Sequence, residues 1–253
     1  MELMTDMRFE GKVLVSTGAA SGIANAVCHR YVKDGGSVVG LDVNPDVTAA
    51  MKELDRAIGI QADISDEAEV SRAISRAIDE FGRIDSLYNG AAILLDQNAI
   101  TGDIAAYRKM LEVNAVGTLI VTREAAPYLR SANGAVVNTS SVVVDQARNE
   151  RSLYAATKGT IPPLTRHLAM ELAPAVRVNA VSPGPTYTGM TRRHYETLGE
   201  TVDEALRVVG QQVPLKRVAS PDELAAAICF LLSEDASFIT GTVLNVDGGF
   251  CAI

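Results

Sequence analysis

The sequence has little positive charge, few cysteines and no long apolar run, and each absence excludes a class of protein. Its 253 residues carry 23 Lys and Arg against 31 Asp and Glu, a net charge of −8 without a basic cluster, so no nucleic-acid partner is expected. The three cysteines, Cys28, Cys229 and Cys251, form no CxxC spacing, which argues against a metal site and indicates a reducing compartment. The first residues, MELMTDMRFEGK, lack the apolar core of a signal peptide, and no run reaches membrane-spanning length. We therefore expect a cytoplasmic protein without a membrane partner.

What is present is the composition of an ordinary globular chain. Apolar residues make up 47% and charged residues 21%, which argues against disorder. No linker, low-complexity stretch or internal repeat divides the chain. Residues 1–253 are therefore expected to form a single domain with a substantial core.

Short β-branched runs alternate with longer helical patterns along the chain. Strands are predicted at Lys12–Thr17, Ser37–Asp42, Ile58–Ala62, Ile84–Asn89, Ala135–Thr139, Val176–Ser182 and Val243–Val246. Helices are predicted at Gly22–Asp34, Val47–Arg56, Asp66–Phe81, Ile104–Arg130, Ser152–Leu172 and, after a capping box at Ser220–Glu223, as far as Leu232. Strands interleaved with helices predict an α/β fold, namely a Rossmann-like, doubly wound, seven-stranded parallel sheet with helices on both faces.

A glycine-containing turn, TGAASGIA at residues 17–24, follows the first strand and opens a helix. Glycines there let the backbone approach a pyrophosphate, which the helix N-terminus stabilises through free N–H groups and its dipole. A plain strand-to-helix turn would have a similar sequence, but its place after the first strand of an α/β chain favours nucleotide binding.

Asp42 ends the second predicted strand, roughly twenty residues beyond the glycine turn. A carboxylate there accepts the hydroxyls of an adenosine ribose and repels a 2′-phosphate. No Lys or Arg in the glycine turn or beside Asp42 could neutralise such a phosphate. We therefore predict NAD(H) as the cofactor, with a solvated turn aspartate as the alternative. Asp63 and Asn89, at the ends of the next two strands, fit either cofactor contacts or simple turn residues.

In their order and spacing these motifs resemble the short-chain dehydrogenase/reductase family, in its short single-domain branch. The resemblance covers residues 12–249, and it rests on these pieces: TGAASGIA (17–24), Asp42, Asp63-Ile64, Asn89 in NGAA, Val113-Asn114, Asn138-Thr139-Ser140-Ser141, Tyr154 with Lys158, Pro183-Gly184 with Thr188, and Val246-Asp247-Gly248-Gly249. The sequence departs from the family at Ala24, usually a third glycine, and at Gly90-Ala91-Ala92, usually Asn-Ala-Gly. Both departures keep small residues and so affect only fine positioning of the cofactor.

The resemblance implies a set of cofactor-binding residues. They are Gly18, Ser21, Gly22, Ile23, Asp42, Asp63, Ile64, Asn89, Gly90, Tyr154, Lys158, Pro183, Gly184, Thr186 and Thr188.

Tyr154 and Lys158 lie one turn apart on a predicted helix, so their polar ends share a face. A free phenol has a pKa of about 10, too high for a good base at neutral pH, and the positive charge of Lys158 favours the phenolate. The resemblance implies that Tyr154 is the general acid/base, that Ser141 polarises the substrate carbonyl, and that Asn114 holds a water against Lys158.

Pro162 and Pro163 follow this pair within the same predicted helix. Proline lacks an N–H and disfavours helical geometry in the residue before it. We predict a kink that begins just past Lys158, leaves the Tyr154–Lys158 turn intact, and frees carbonyl groups for another donor.

The substrate side carries weaker signals. By family analogy, Val143, Gln146, Tyr187 and Met190 are pocket candidates. Residues 186–213, which include His194, fit either a lid over the substrate or a surface pair of helices. The polar stretch DQARNERS at 145–152 fits either an anionic or hydroxylated substrate, or a face toward water or another subunit, and the second is favoured.

The leading function is therefore an NAD(H)-dependent oxidoreductase that interconverts a secondary alcohol and its ketone. A 3-ketoacyl-thioester reductase of the same family would typically use NADPH and need a basic surface, so Asp42 and the charge of −8 count against it. The Tyr154–Lys158 spacing argues against the enoyl-reductase branch, which separates the two residues more widely. A non-catalytic nucleotide sensor is disfavoured by the intact catalytic set. Relatives are commonly homotetramers, so a homotetramer or homodimer is expected, and the apolar ending at residues 249–253 fits burial against a neighbour.

Overall fold

All seven predicted strands form one parallel sheet. A computed structural model describes residues 7–95, 97–197 and 201–252, except for the side chains of His194 and Thr197. The strands are β1 (Val13–Thr17), β2 (Ser37–Asp42), β3 (Ala57–Gln61), β4 (Ser86–Asn89), β5 (Ala135–Thr139), β6 (Arg177–Pro183) and β7 (Val243–Val246). They pair in parallel in the order β3-β2-β1-β4-β5-β6-β7, which confirms the predicted fold class.

The helices follow the predicted pattern, apart from a shorter second helix and a π-helical turn. They are α1 (Gly22–Lys33), α2 (Val47–Lys52), α3 (Glu67–Phe81), α4 (Ile104–Leu111), α5 (Thr118–Ala132), α6 (Ser152–Lys158), α7 (Ile161–Leu172), α8 (Gly189–Thr197), α9 (Val202–Gln212) and α10 (Pro221–Leu232). A π-helical turn, Glu112–Gly117, joins α4 to α5 where one continuous α-helix is predicted. Residues 186–213 carry α8 and α9, a pair of helices. None of the helices within the described residues is long and apolar enough to span a bilayer.

Helices cover both faces of the sheet, and the inner strands β1, β4 and β5 are buried along nearly their whole length. Alternate side chains of a strand point to opposite faces, so Leu14 joins the apolar cluster under α1 and α10 while Val15 joins the cluster under α3, α5 and α7. The predicted capping box of α10 is present, since the Glu223 N–H donates to Ser220 Oγ and the Ser220 N–H donates to Glu223 Oε2.

The predicted interruption after the Tyr154–Lys158 turn is confirmed. Helix α6 ends at Lys158, the residues Gly159–Thr160 form a turn, and α7 begins at Ile161. Pro162 and Pro163 therefore occupy the first turn of α7, where their missing N–H groups would lack an intrahelical partner in any case. The freed carbonyl of Lys158 accepts a hydrogen bond from Ser140 Oγ at 3.4 Å.

The strand order also locates the site. Strands β1 and β4 are neighbours although the chain passes through β2 and β3 between them. Ligands of doubly wound sheets bind at this switch point, beyond the carboxyl ends of the strands.

Candidate active site

A cleft of about 620 Å³ lies at the carboxyl ends of the strands. Residues that follow β1, β2, β5 and β6 all line it, as the switch-point rule requires. Its lining contains these predicted cofactor residues: Gly18, Ser21, Gly22, Ile23, Asp42, Asp63, Ile64, Gly90, Tyr154, Lys158, Pro183, Gly184, Thr186 and Thr188.

The glycine turn has the shape that a pyrophosphate needs. Gly18 has φ +78°, and a Cβ there would lie 2.9 Å from the Cα of Ala91, so only glycine fits. Gly22 has φ +64°, and the nearest atoms to a Cβ there belong to Thr188 at 3.7 Å. Ser21 precedes α1 without a side-chain bond to it, and the first turn of α1 holds no acidic residue. The N–H groups of α1 are thus left for an anion, which fits a dinucleotide.

Asp42 joins the end of β2 to this turn. Its Oδ2 accepts a hydrogen bond from the Ala20 N–H at 3.0 Å, and its Oδ1 accepts one from the Asn44 N–H at 2.9 Å. A carboxylate has about four acceptor positions, so Asp42 keeps acceptor capacity toward the cleft. The lining residues beside it, Val43, Asn44, Ala62 and Asp63, include no cation.

Of the two residues predicted at the ends of the next two strands, Asp63 lines the cleft and Asn89 does not. Asp63 lines the cleft, although its Oδ1 also accepts bonds from the N–H and the hydroxyl of Ser65. Asn89 is absent from the lining because its side chain is buried below β4. There its amide donates to Thr122 Oγ1 at 3.0 Å and to Asn138 Oδ1 at 2.9 Å. Asn89 itself therefore does not line the cleft, Gly90 forms this edge, and a cofactor contact from Asn89 stays a prediction.

Ser141, Tyr154 and Lys158 converge on the cleft. Ser141 lies at the start of a 3-10 turn, Val142–Val144, and forms a hydrogen bond with the Tyr154 phenol. Burial raises the pKa of Tyr154 to about 12, while the charge of Arg151 and the Ser141 bond act in the opposite direction. The phenol is therefore protonated at neutral pH in the protein alone.

Lys158 is fully buried on the same wall. Its Nζ donates to the Thr139 carbonyl at 2.9 Å, and burial lowers its pKa to about 8. The sequence predicts that Lys158 provides the charge acting on Tyr154, yet the positive charge that lowers the Tyr154 pKa here belongs to Arg151. Arg151 is a residue that the sequence reasoning missed, although it lies within the polar stretch 145–152.

Asn114 lies in the π turn and does not line the cleft. Its Oδ1 accepts from the Ile93 N–H at 2.8 Å, and its amide donates to the Ile93 carbonyl at 2.9 Å and to Thr157 Oγ1 at 3.0 Å. Both amide hydrogens are therefore used within the protein, whereas Oδ1 and the main-chain carbonyl, which accepts from Thr118 Oγ1, each keep acceptor capacity for a water. Short π segments often occur at functional sites.

The substrate side agrees with the sequence prediction only in part. Val143 and Met190 line the cleft, whereas Gln146 and Tyr187 do not. Tyr187 is 48% exposed, and its N–H donates to the Ala219 carbonyl. The direction of a loop side chain depends on its tertiary neighbours. Sequence spacing alone therefore could not tell the two residues that line the cleft from the two that do not. The side chain of His194 lies outside the described residues.

Further lining residues come from regions that the sequence left open. The apolar ones include Ile93, Leu94, Leu206 and Val209, and the cationic ones include Lys109, Arg148, Arg151 and Arg193. Phe250 is buried against Val142 and Val213, and the Arg148 guanidinium carbon lies 4.6 Å from its ring centroid. Part of the C-terminal segment thus packs on its own chain, and its burial against a neighbouring subunit stays a prediction. Ile253 lies outside the described residues.

The parallel sheet, the glycine turn and the cleft that holds Ser141, Tyr154 and Lys158 define an oxidoreductase of the Rossmann type. A family model described as "Enoyl-(Acyl carrier protein) reductase" matches residues 18–251. The chain belongs to the short-chain dehydrogenase/reductase family, whose members typically use a nicotinamide cofactor.

Three relatives illustrate the similarity. The cis-4-hydroxycyclohexanecarboxylate dehydrogenase of Sinomonas cyclohexanicum is 35% identical, over 97% of this chain and 98% of that one. The 3-oxoacyl-(acyl-carrier-protein) reductase FabG of Thermotoga maritima is 34% identical, over 96% of this chain and 99% of that one. The ligand-free structure of the aldohexose dehydrogenase of Thermoplasma acidophilum superposes with a TM-score of 0.91 at 30% identity, covering 98% of this chain and 96% of that one.

Proposed function

We propose that this chain is an NAD(H)-dependent oxidoreductase that interconverts a secondary alcohol and its ketone, with Tyr154 as general acid/base. The observation that carries the proposal is the placement of Ser141, Tyr154 and Lys158 on the same cleft as the glycine turn. Two of the relatives described above are named as dehydrogenases of hydroxylated ring compounds or sugars, which supports oxidation at a CH–OH group.

Bound nicotinamide would accept a hydride from the carbinol carbon, or return it in the reverse direction. In alcohol oxidation the Tyr154 phenolate takes the hydroxyl proton, and in ketone reduction the Tyr154 phenol supplies it. The Ser141 hydroxyl, already bonded to Tyr154, orients the substrate oxygen. Burial opposes the phenolate, and the charge of Arg151 favours it. The proposal keeps Lys158 as a second positive charge that favours the phenolate, as the sequence predicts.

Asp42 supports NAD(H) over NADP(H). Its carboxylate faces the cleft at the end of β2, and the neighbouring lining residues include no cation to neutralise a 2′-phosphate. The N–H groups of α1 would hold the pyrophosphate, and Lys158 and Thr188 lie on the cleft wall where they can donate to the rest of the cofactor.

The proposal includes one dinucleotide-binding and catalytic domain over residues 1–253, with α8 and α9 as a cover over the substrate. Met190 on α8, together with Leu206 and Val209 on α9, lines the cleft, which supports a covering role. Residues 198–200, between the two helices, lie outside the described residues.

A homotetramer or homodimer in the cytoplasm stays part of the proposal. Exposed apolar side chains such as Met170 on α7, at 80% exposure, are consistent with an interface. A monomer at micromolar concentration in analytical sedimentation would contradict the proposed homotetramer or homodimer.

The second candidate is a 3-ketoacyl-thioester reductase, favoured by the similarity to the Thermotoga maritima enzyme. It predicts that NADPH with acetoacetyl-coenzyme A gives faster turnover than NADH with any small ketone. Because the matching family model is described as an enoyl reductase, the enoyl thioester crotonyl-coenzyme A is a further substrate to test.

Replacement of Tyr154 by Phe tests the leading proposal. We expect NAD(H)-dependent turnover to fall by about 10²- to 10⁴-fold, the usual worth of a general acid/base, while NADH binding measured by fluorescence is kept. Tyr128→Phe on α5, away from the cleft, is the matched control. Wild-type turnover in Tyr154→Phe contradicts the mechanism, and a preference for NADPH contradicts the cofactor assignment. Failure of both enzymes on every substrate in a broad alcohol and ketone screen favours the nucleotide sensor.

A further inference from the structure

The cationic part of the cleft is separated from its acidic part. The carboxylates among the described lining residues, Asp42 and Asp63, follow β2 and β3. Arg148 and Arg151 follow β5, on the side of Tyr154. Two arginines therefore line the cleft on the side of the proposed acid/base.

Arg148 is held in place by neighbours that do not neutralise it. Its guanidinium carbon lies 4.6 Å above the buried ring of Phe250, and its Nη2 donates weakly to Gln212 Oε1 at 3.4 Å. The aromatic ring and the neutral amide hold the guanidinium at the cleft wall, and because neither is an anion, they do not neutralise its positive charge.

Arg151 lies close enough to act on both Arg148 and Tyr154. Burial and the repulsion from Arg151 lower the pKa of Arg148, and the same Arg151 charge lowers the pKa of Tyr154. Arg151 immediately precedes α6, one helical turn before the phenol. Both guanidinium groups line the same cleft, and each carries several N–H donors that an anion bound there can accept from.

The cleft also has apolar lining residues. They include Leu94, Val143 and Met190, with Leu206 and Val209 from α9. An apolar wall with a cationic end suits a compact molecule that has a hydrocarbon body and one anionic group.

We propose that Arg148 and Arg151 bind the carboxylate of a small hydroxy acid or keto acid whose carbinol or carbonyl group lies at Ser141 and Tyr154. This inference rests on the proposed function and narrows it to one substrate class. The fork of an arginine matches the two oxygens of a carboxylate, and two such forks would fix the acid end while the apolar wall holds the body. The adenosine phosphate of NADP is not the anion, because Asp42 lies at the other end of the cleft.

Binding can be tested without turnover. Isothermal titration of the NAD⁺-saturated protein with acetate, 3-methylbutanoate, cyclohexanecarboxylate and benzoate, each against its neutral amide, compares acid and amide of the same shape. We expect the best-fitting acid to bind about 10- to 100-fold more tightly than its amide, as for a charge-assisted pair, and its affinity to fall with added NaCl. If no acid in the series binds more tightly than its amide, the inference is overturned.

Substitution then tests whether Arg148 and Arg151 are the residues that bind the carboxylate. Arg148→Gln and Arg151→Gln should each remove most of the acid preference, and Arg72→Gln, on the exposed face of α3, is the matched control. Arg148→Lys keeps the charge but not the fork and should lose part of the preference, which gives a readout should the Gln variant not fold. Unchanged acid binding in the folded variants overturns the assignment. Tyr154→Phe should keep acid binding and lose turnover, so a Tyr154→Phe enzyme that stays active contradicts the proposed function and leaves the carboxylate site standing.

Discussion

The side-chain amide of Asn114 donates a hydrogen bond to Thr157 Oγ1 at 3.0 Å, and the Thr157 hydroxyl donates in turn to the carbonyl of Tyr154 at 2.8 Å. Thr157 is fully buried between Tyr154 and Lys158 in α6. These two bonds fix the helix that carries the proposed acid/base to the π turn between α4 and α5. We therefore expect Asn114 and Thr157 to position Tyr154.

Replacement of Thr157 by Val should weaken both stability and catalysis. The change keeps the shape but leaves an Asn114 N–H without its acceptor, so we expect the free energy of unfolding to fall by about 1–3 kcal/mol. We also expect kcat to fall while KM for the alcohol changes little, because the substrate contacts remain. Thr157→Ser, which restores the hydroxyl, should recover kcat. Wild-type kcat in Thr157→Val, or loss of kcat in Thr157→Ser alone, would show that the hydrogen bond does not support catalysis.

Replacement of Asp42 by Asn should relax the choice between NAD⁺ and NADP⁺. Asparagine keeps an oxygen for the Ala20 N–H and so preserves the glycine turn, but it removes the charge that repels a 2′-phosphate. We expect the ratio of kcat/KM values for the two cofactors to shift toward NADP⁺ by about tenfold, or about 1.4 kcal/mol. Asp46→Asn, exposed beyond β2, is the control. An unchanged ratio would exclude Asp42 as the selecting group.

Replacement of Arg151 by Gln should move the pH profile of alcohol oxidation. Because the Arg151 charge lowers the pKa of Tyr154, its loss makes the phenolate harder to form. The acid limb of kcat/KM against pH should shift upward by about one unit, while Arg151→Lys should keep the wild-type limb. A downward shift in Arg151→Gln would contradict the assigned sign.

Replacement of Lys158 by Met should stabilise the protein while it inactivates the enzyme. Burial lowers the Lys158 pKa from 10.5 to about 8, so at pH 7 the folded state holds a charged group that is better solvated in the unfolded chain. The difference corresponds to at most about 3 kcal/mol, reduced by the donor that the Thr139 carbonyl loses. This gain should shrink as pH rises from about 8 to 10.5, because the wild-type lysine then becomes neutral in the folded state first. Urea unfolding at about pH 8 and at about pH 10.5 measures this gain in the free energy of unfolding, with the exposed Lys52→Met as the control. A gain that grows with pH would contradict the prediction.

Features that depend on local chemistry could be predicted from the sequence. The seven strands and their parallel sheet follow from the alternation of short apolar runs with helical patterns. The break after Lys158 follows from the missing N–H groups of Pro162 and Pro163. Gly18 and Gly22 were identified because a close backbone approach leaves little choice of residue.

Features that depend on distances between remote segments could not be predicted. The π turn around Asn114 shifts the helix phase within a stretch whose apolar period still looks helical. Asn89 turns away from the cleft because Thr122 and Asn138 offer it buried partners, and Arg151 acts on Tyr154 through space. Each of these outcomes is decided by neighbours far away in the sequence.

The break at Gly159–Thr160 also divides the motions of the two helices. Leu153 and Tyr154 in α6 belong to a small apolar cluster with Met110, whereas Leu168 and Leu172 in α7 belong to the large cluster beneath the sheet. A continuous helix would couple the opening of one cluster to the other. Because a turn separates the two helices, the amide hydrogens of α6 can exchange with solvent in a local opening that leaves α7 folded. The substrate side of the cleft can then open for entry and release while the core beneath the sheet stays packed.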